Sequence, residues 1–309
     1  MAAAGIGSLA PMTLTPESGI STILAVELVG VSLGIMQSII HHSGNIYQTL
    51  VVIPGADRRL RVSTPFAGAF ALFGLGLQPC TALAVYLANF ADFNRLTTGL
   101  KIQMATACKA GAQISGWHVT VDGILMADID IVFVSTTGAL DPFTFTETSA
   151  LPAITGTPAL HTLGPVSFGT GVIVPGCVSS GGQIGSSPTI LRTDGDFFAR
   201  TAARLSATPV INLSHADPDS LLQVLTGLGI SMSSPCVVYF KSFDATTGIS
   251  ENTGGISMTM AAGRLVPHGI DETANVVATT GVDVIGISTD GNATAPIVVA
   301  TGVTVPTPP

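Results

Sequence analysis

Few residues in this sequence have the types and spacing that do chemistry. Gly30-Val31-Ser32-Leu33-Gly34 fits G-x-S-x-G, the strand–turn–helix elbow that exposes a nucleophilic serine. Asp217 and His268 follow in the chain order of a hydrolase triad. That elbow belongs to a parallel sheet built from repeated β-α units, and no such alternation runs through this chain. Ser32 is therefore read as a small residue in a packed segment, and no catalytic residue is assigned. His41-His42 are adjacent, so they do not share a helix face and make a poor start for a metal site. Asp122, Asp128 and Asp130 lie close together near a turn and offer oxygens to Ca²⁺. They lack EF-hand spacing and equally suit turn and edge positions. No P-loop or G-x-G-x-x-G run is present, and no organic cofactor is expected.

Cationic and thiol groups are as sparse. The densest basic cluster is Arg58, Arg59 and Arg61, with a looser set at Arg192, Arg200 and Arg204. A protein that grips nucleic acid through phosphates needs more than this, so any contact through Arg58, Arg59 and Arg61 is expected to be weak. Cys80, Cys108, Cys177 and Cys236 are far apart with no C-x-x-C pair. That spacing argues against zinc and for buried free thiols. Asn212-Leu213-Ser214 and Asn292-Ala293-Thr294 match the glycosylation sequon, which matters only in a secreted protein.

The elements that must position these residues are mostly strands. Runs rich in Val, Ile, Thr, Phe and Tyr, bounded by Gly, Pro, Asn or Asp, predict strands at Gly68–Leu77, Leu100–Ala107, Ile114–Val121, Ile129–Ser135, Val172–Val174, Pro235–Phe243 and Ile256–Ala261. Cys236, Val238 and Phe240 alternate with Val237, Tyr239 and Lys241, the pattern of an antiparallel sheet with one buried face. Two short helices are predicted, at Leu83–Phe93 and at Asp219–Leu228. Ile20–Ile53 is apolar without a clear period. Within it Ile20–Ile40 carries Glu27 and Gln37 and has no flanking Lys or Arg, which argues against a membrane span. Met1–Ala10 lacks the positive start of a secretory signal.

Composition points to association. Charged residues are 10% of the chain, far below the roughly 25% of an ordinary soluble domain. Hydrophobic residues are 47%, and 35 Gly and 19 Pro punctuate the chain throughout. A surface so poor in charge is one that other subunits cover, because interface cores are depleted in charge. The net charge of −8 further disfavours direct binding of nucleic acid.

The stretch Gly68–Ile131 carries a more specific pattern. Leu77-Gln78-Pro79 ends a strand, Ala84–Phe93 forms a short helix, Gly99–Met104 (GLKIQM) starts the next strand, and Gly116-Trp117-His118-Val119 leads to Asp122. Ser234–Gly248 and Ile256–Val266 look like a closing strand pair. This order resembles the jelly-roll coat proteins of small icosahedral positive-strand RNA viruses, of the picorna-like and plant spherical types. The resemblance implies an all-β fold, an antiparallel eight-stranded sandwich over residues 60–270. An N-terminal arm over 1–59 and a C-terminal extension over 271–309 would flank it, with few short helices. It further implies a structural, non-enzymatic subunit of a large homo-oligomeric icosahedral shell, found in the virion and, during assembly, in the host cytoplasm. Such a shell encloses the viral genome and can include other coat proteins, without stable membrane insertion. Ca²⁺ at subunit contacts through Asp122, Asp128 and Asp130 would fit the plant type. The chain departs from many plant coats in having no basic N-terminal arm. The alternative is an extracellular or tail-associated β-sandwich adhesion module, which would expose a Trp- or Tyr-lined face; this chain has one Trp and three Tyr. At least one end is expected to cross onto a neighbouring subunit, with Val276–Val303 the better candidate for strand addition.

Overall fold

Abundant β-branched residues and frequent turn residues favour short, paired strands over helices. The computed structural model describes residues 8–9, 12–16, 21–23, 26–40, 47, 50–66, 68–73, 77–91, 94–152, 159–169, 173–174, 176–183, 188–216, 230–232, 234–271, 279–288, 290–291 and 295–307. The N-terminal part forms β1 (Ser8–Leu9), β2 (Met12–Pro16), β3 (Ser21–Ile23), β4 (Leu28–Ser32), β5 (Ile35–Ile40), β6 (Leu50–Ala56) and β7 (Arg59–Thr64). A short helix, α1 (Gly68–Phe73), precedes the long strands β8 (Gln78–Ala91), β9 (Asn94–Met104), β10 (Cys108–Thr120) and β11 (Met126–Ser135). Then follow β12 (Phe143–Thr148), β13 (His161–Phe168), β14 (Ile173–Val174), β15 (Cys177–Gln183), β16 (Thr189–Leu191), β17 (Thr201–Ala203) and β18 (Val210–His215). The chain ends with β19 (Ile230–Ser231), β20 (Cys236–Phe243), β21 (Ser250–Met260), β22 (Gly263–Asp271), β23 (Thr279–Gly286) and β24 (Ile297–Val303).

Every strand ladder among the described residues is antiparallel. A large sheet is organised around β10. One edge of β10 takes β11, which continues to β7 and β4; the other takes β8 near its start and β15 near its end. From β15 the sheet runs on through β18, β23, β22 and β19. A smaller sheet has the order β14-β13-β20-β21-β24. One apolar cluster joins the two, with Ile114, Ile129, Val282 and Val284 from the large sheet and Val166, Val238, Phe240 and Met258 from the small one. The alternation expected in β20 is present: Cys236, Val238 and Phe240 are fully buried, while Val237, Tyr239 and Lys241 are partly exposed. Glycine permits one close approach in this core, because a Cβ on Gly182 would stand 2.1 Å from the buried Trp117 ring.

The architecture is thus all-β with antiparallel sheets, and it departs from the sequence expectations in four places. Gly68–Leu77, expected as a strand, opens with α1: the run GAFALF has no alternation, and Ala69 and Phe70 bury themselves. The helix expected at Leu83–Phe93 is replaced as far as Ala91 by β8. There β9 on one edge and β1 and β2 on the other satisfy its backbone, and these ladders outweigh a weak helical stripe. The expected helix at Asp219–Leu228 lies outside the described residues. The large sheet holds 15 strands and the smaller one five, more than the eight expected. Apart from β5 and β6, which form a separate two-stranded sheet, the described strands of 1–59 and 271–309 are built into these same sheets. β4 pairs with β7, β23 lies between β18 and β22, and β24 closes on β21. The tail therefore adds its strands to its own chain, and Val282 and Val284 sit fully buried there.

Candidate functional site

Five of the sequence's candidate residues, Ser32, Arg59, Arg61, Asp128 and Asp130, gather on one face of β4, β7 and β11, beside β10. Residues directly opposite in an antiparallel ladder share a face, and so do alternate residues along a strand. Ser32 faces Arg59, Gly30 faces Arg61, Arg61 faces Asp130, and Ser63 faces Asp128. The result is a polar stripe beside a shallow groove of about 420 Å³ lined by Gly30, Ser32, Arg59, Arg61 and Asp130, among others.

The charges in this stripe largely satisfy one another. Arg61 Nε lies 3.6 Å from Asp130 Oδ1. Ser63 Oγ donates to Asp128 Oδ1, Ser115 Oγ donates to the Asp128 carbonyl at 3.2 Å, and His118 Nδ1 stands 4.0 Å from Asp128 Oδ2. Burial pushes the Asp130 carboxyl above the usual carboxylate range; the Arg61 and Arg59 charges and a Ser115 hydrogen bond pull it down, while Asp128 adds to the rise. Arg58 does not join the stripe. Its Nε and Nη2 donate to Asp141 Oδ1 and Oδ2 at 3.0 and 2.5 Å, and its Nη1 donates to the Leu33 carbonyl at 2.6 Å. Its guanidinium also lies 5.3 Å from the centre of the Phe198 ring. Of the three clustered arginines, Arg58 is thus turned inward as an internal clamp, and Arg61 is the one largely exposed.

The other basic set is likewise engaged. Arg192 pairs with Asp57, and Arg200 stands 3.9 Å from Asp196 and donates to the Thr136 carbonyl. Asp122 sits exposed in the turn after β10, apart from Asp128 and Asp130 on β11. Among the described residues no group of three or more His, Cys, Asp or Glu is arranged to hold a metal ion. His41 and His42 lie outside the described residues. The four cysteines are free thiols, and burial raises the pKa of Cys80 to about 11 and of Cys177 to about 12.

The G-x-S-x-G motif does not form an elbow. Ser32 ends β4, exposed, and the chain continues into β5 rather than a helix. The second glycine has a packing reason. Gly34 adopts φ +50°, and a Cβ there would stand 2.0 Å from the Asp57 carbonyl oxygen. His268 lies on β22, with six strands between it and β4 along the sheet, and its Nε2 stands 3.0 Å from Asp283 Oδ2. Asn212 donates to the other oxygen of that carboxylate at 2.6 Å. Asp217 and Asn292 lie outside the described residues.

No known family model matches this sequence, and no curated protein is detectably similar to it. No described helix is long and apolar enough to cross a membrane.

What sequence reasoning missed is the hairpin of β5 and β6. Ile39 pairs with Val51 and Ser38 with Val52, and the large side chains of Ile35, Met36, Ile39, Tyr47 and Leu50–Ile53 stay exposed. Its root is fixed. Ala56 N–H donates to the Phe197 carbonyl at 2.9 Å, Asp57 N–H donates to the Gly34 carbonyl at 3.0 Å, and Arg192 Nη1 reaches Met36 Sδ at 3.0 Å. The run of apolar residues was visible in the sequence; its exposure was not.

Proposed function

We propose that this chain is a structural subunit that assembles with copies of itself into a closed icosahedral shell, the coat protein of a small virus. The two antiparallel sheets around one core are read as an elaborated jelly-roll sandwich. The observation that carries this reading is a mismatch between core and surface. Both sheets already bury Phe240, Met258, Ile129 and their neighbours, yet among the described residues 19 large hydrophobic side chains remain exposed on a chain that is only 10% charged. A surface of that kind is completed by other subunits. The self-satisfied polar stripe, with no open constellation of reacting groups, supports a structural role over a catalytic one.

Contact with the enclosed genome is weak in this reading. Arg58 is committed to Asp141, leaving Arg59 and Arg61 to face outward beside Asp130. A net charge of −8 per copy repels RNA unless mobile cations intervene. The location that follows is the virion, with assembly in the host cytoplasm. Electron microscopy of the purified full chain, freed of nucleic acid, tests the proposal. Closed shells of uniform size are the expected result, and a protein that stays monomeric at every concentration overturns it.

A further inference from the structure

The hairpin of β5 and β6 is the least explained surface of the molecule. Ile35, Met36 and Ile39 of β5 and the whole run Leu50–Ile53 of β6 each leave 40–54% of their surface exposed. Among the described elements, the extensive packing partner of each strand is the other. An isolated two-stranded hairpin is marginal in water, so this one needs a cover. With Val31, Leu33 and Tyr47 included, and each apolar residue taken as roughly 150–200 Å² and about half exposed, the patch amounts to on the order of 800 Å². Alternate residues point to opposite faces, so each face carries on the order of 400 Å², the size of the largest patch on a typical monomer, and the two faces together reach the ~800 Å² that each partner contributes to a standard protein interface.

Three features decide what covers it. From Leu28 to Ala56 there is no Asp, Glu, Lys or Arg, so neither nucleic acid nor a charged protein surface finds a complement there. The described strands have six and seven residues, against the ~9–11 of a strand that crosses a bilayer. A second copy supplies the matching surface, equally apolar and equally free of charge. Ile39 and Val51 share one face of the hairpin because they are directly opposite, and Ile53, at the register shift that follows, is as exposed as they are. The anchoring of Ala56 and Asp57 holds this face in a fixed direction relative to the sandwich.

We propose that the β5–β6 hairpin is a self-association surface, packing through Ile39, Val51 and Ile53 against the same hairpin of a second copy across a two-fold axis. Such a contact is isologous, so a single patch serves both partners. The inference rests on the assembly reading for the identity of its partner.

The test is sedimentation velocity of the full chain over a concentration series, with electron microscopy of the same samples. It compares the wild type, the double variant Val51→Lys/Ile53→Lys, the milder Val51→Thr/Ile53→Thr, and the control Val298→Lys on the exposed side of β24. Thermal unfolding of each variant checks the fold, and the threonine pair, which keeps β-propensity, decides the matter if the lysine pair unfolds. The expected result is that the wild type and the control assemble alike. The hairpin variants should need at least a tenfold higher concentration to self-associate. If the hairpin variants assemble like the wild type, or still form the dimer, the hairpin proposal is overturned and the shell reading stands. A wild type that forms only a hairpin-dependent dimer keeps the hairpin proposal and removes the shell. A monomeric wild type overturns both; if it also floats with neutral phosphatidylcholine vesicles and the variants do not, the surface belongs to lipid.

Discussion

Replacing Arg58 by alanine should destabilise the subunit far more than the same change at Arg61, although the two are close neighbours in the sequence. The Arg58 side chain is 10% exposed and makes two parallel hydrogen bonds to Asp141 and a third to the Leu33 carbonyl. Breaking a fully buried pair costs about 3–5 kcal/mol and an exposed one about 0–1 kcal/mol. Asp141 is 40% exposed, so its abandoned carboxylate recovers part of its hydration. The loss for Arg58→Ala is accordingly about 2–3 kcal/mol. Arg58→Lys keeps the charge but loses the planar fork and should fall about halfway. Arg61, 62% exposed and 3.6 Å from its partner, should cost no more than about 0.5 kcal/mol. Urea unfolding of the unassembled protein at neutral pH measures all three. A pH series adds a sign. Burial raises the Asp141 carboxyl, but the Arg58 hydrogen bond, the Phe143 N–H and the Arg58 charge together bring it below the usual range. Its contribution is therefore fully present above the unfolded value of about 4 and is lost as the pH falls through the folded value. The gap between wild type and Arg58→Ala should thus be widest near neutrality and close in acid. An Arg58→Ala protein within about 0.5 kcal/mol of wild type, or a gap that widens in acid, would refute the internal clamp.

Four further outcomes follow from the same structure. Deleting residues 271–309 should abolish folding, not merely assembly, because it removes β23 from between β18 and β22 and β24 from β21; circular dichroism of the truncated chain decides it. Ser32→Ala should leave stability within about 0.5 kcal/mol and leave any esterase turnover of the preparation unchanged. Gly34→Ala, forced against the Asp57 carbonyl at positive φ, should cost more than about 2 kcal/mol in the same unfolding assay. Asp130→Asn should stabilise the protein at neutral pH and have no effect near pH 3. Burial raises the folded pKa of Asp130, so its ionised form is the disfavoured one and the protonated form is not; a loss of stability at pH 7 would contradict this.

The sequence made part of this legible and hid the rest for identifiable reasons. Strands β9, β10, β11, β20 and β21 could be placed from their runs of Val, Ile, Phe and Tyr, and the buried face of β20 from alternation alone. The exchange of helix and strand between Gly68–Leu77 and Leu83–Phe93 could not be foreseen. Both are apolar runs whose period fits either element, and the choice was made by which backbone groups found partners in the sheet. Of the candidate site, the carboxylates and arginines were visible as letters. Whether Arg58 faced solvent or Asp141 depended on a pairing across 83 residues that no local pattern encodes.

By itself, then, the sequence determined the all-β class and the shortage of charge, because composition and short-range periodicity are properties of the chain alone. The tertiary structure decided the rest. It built β23 and β24 into the sheets, committed Arg58 and Arg192 to internal pairs, and left the apolar side chains of Ile35, Met36, Ile39 and Leu50–Ile53 exposed. Each of those outcomes turns on which distant strands share hydrogen bonds, and β-pairing across long separations is set by the packing of the whole sheet.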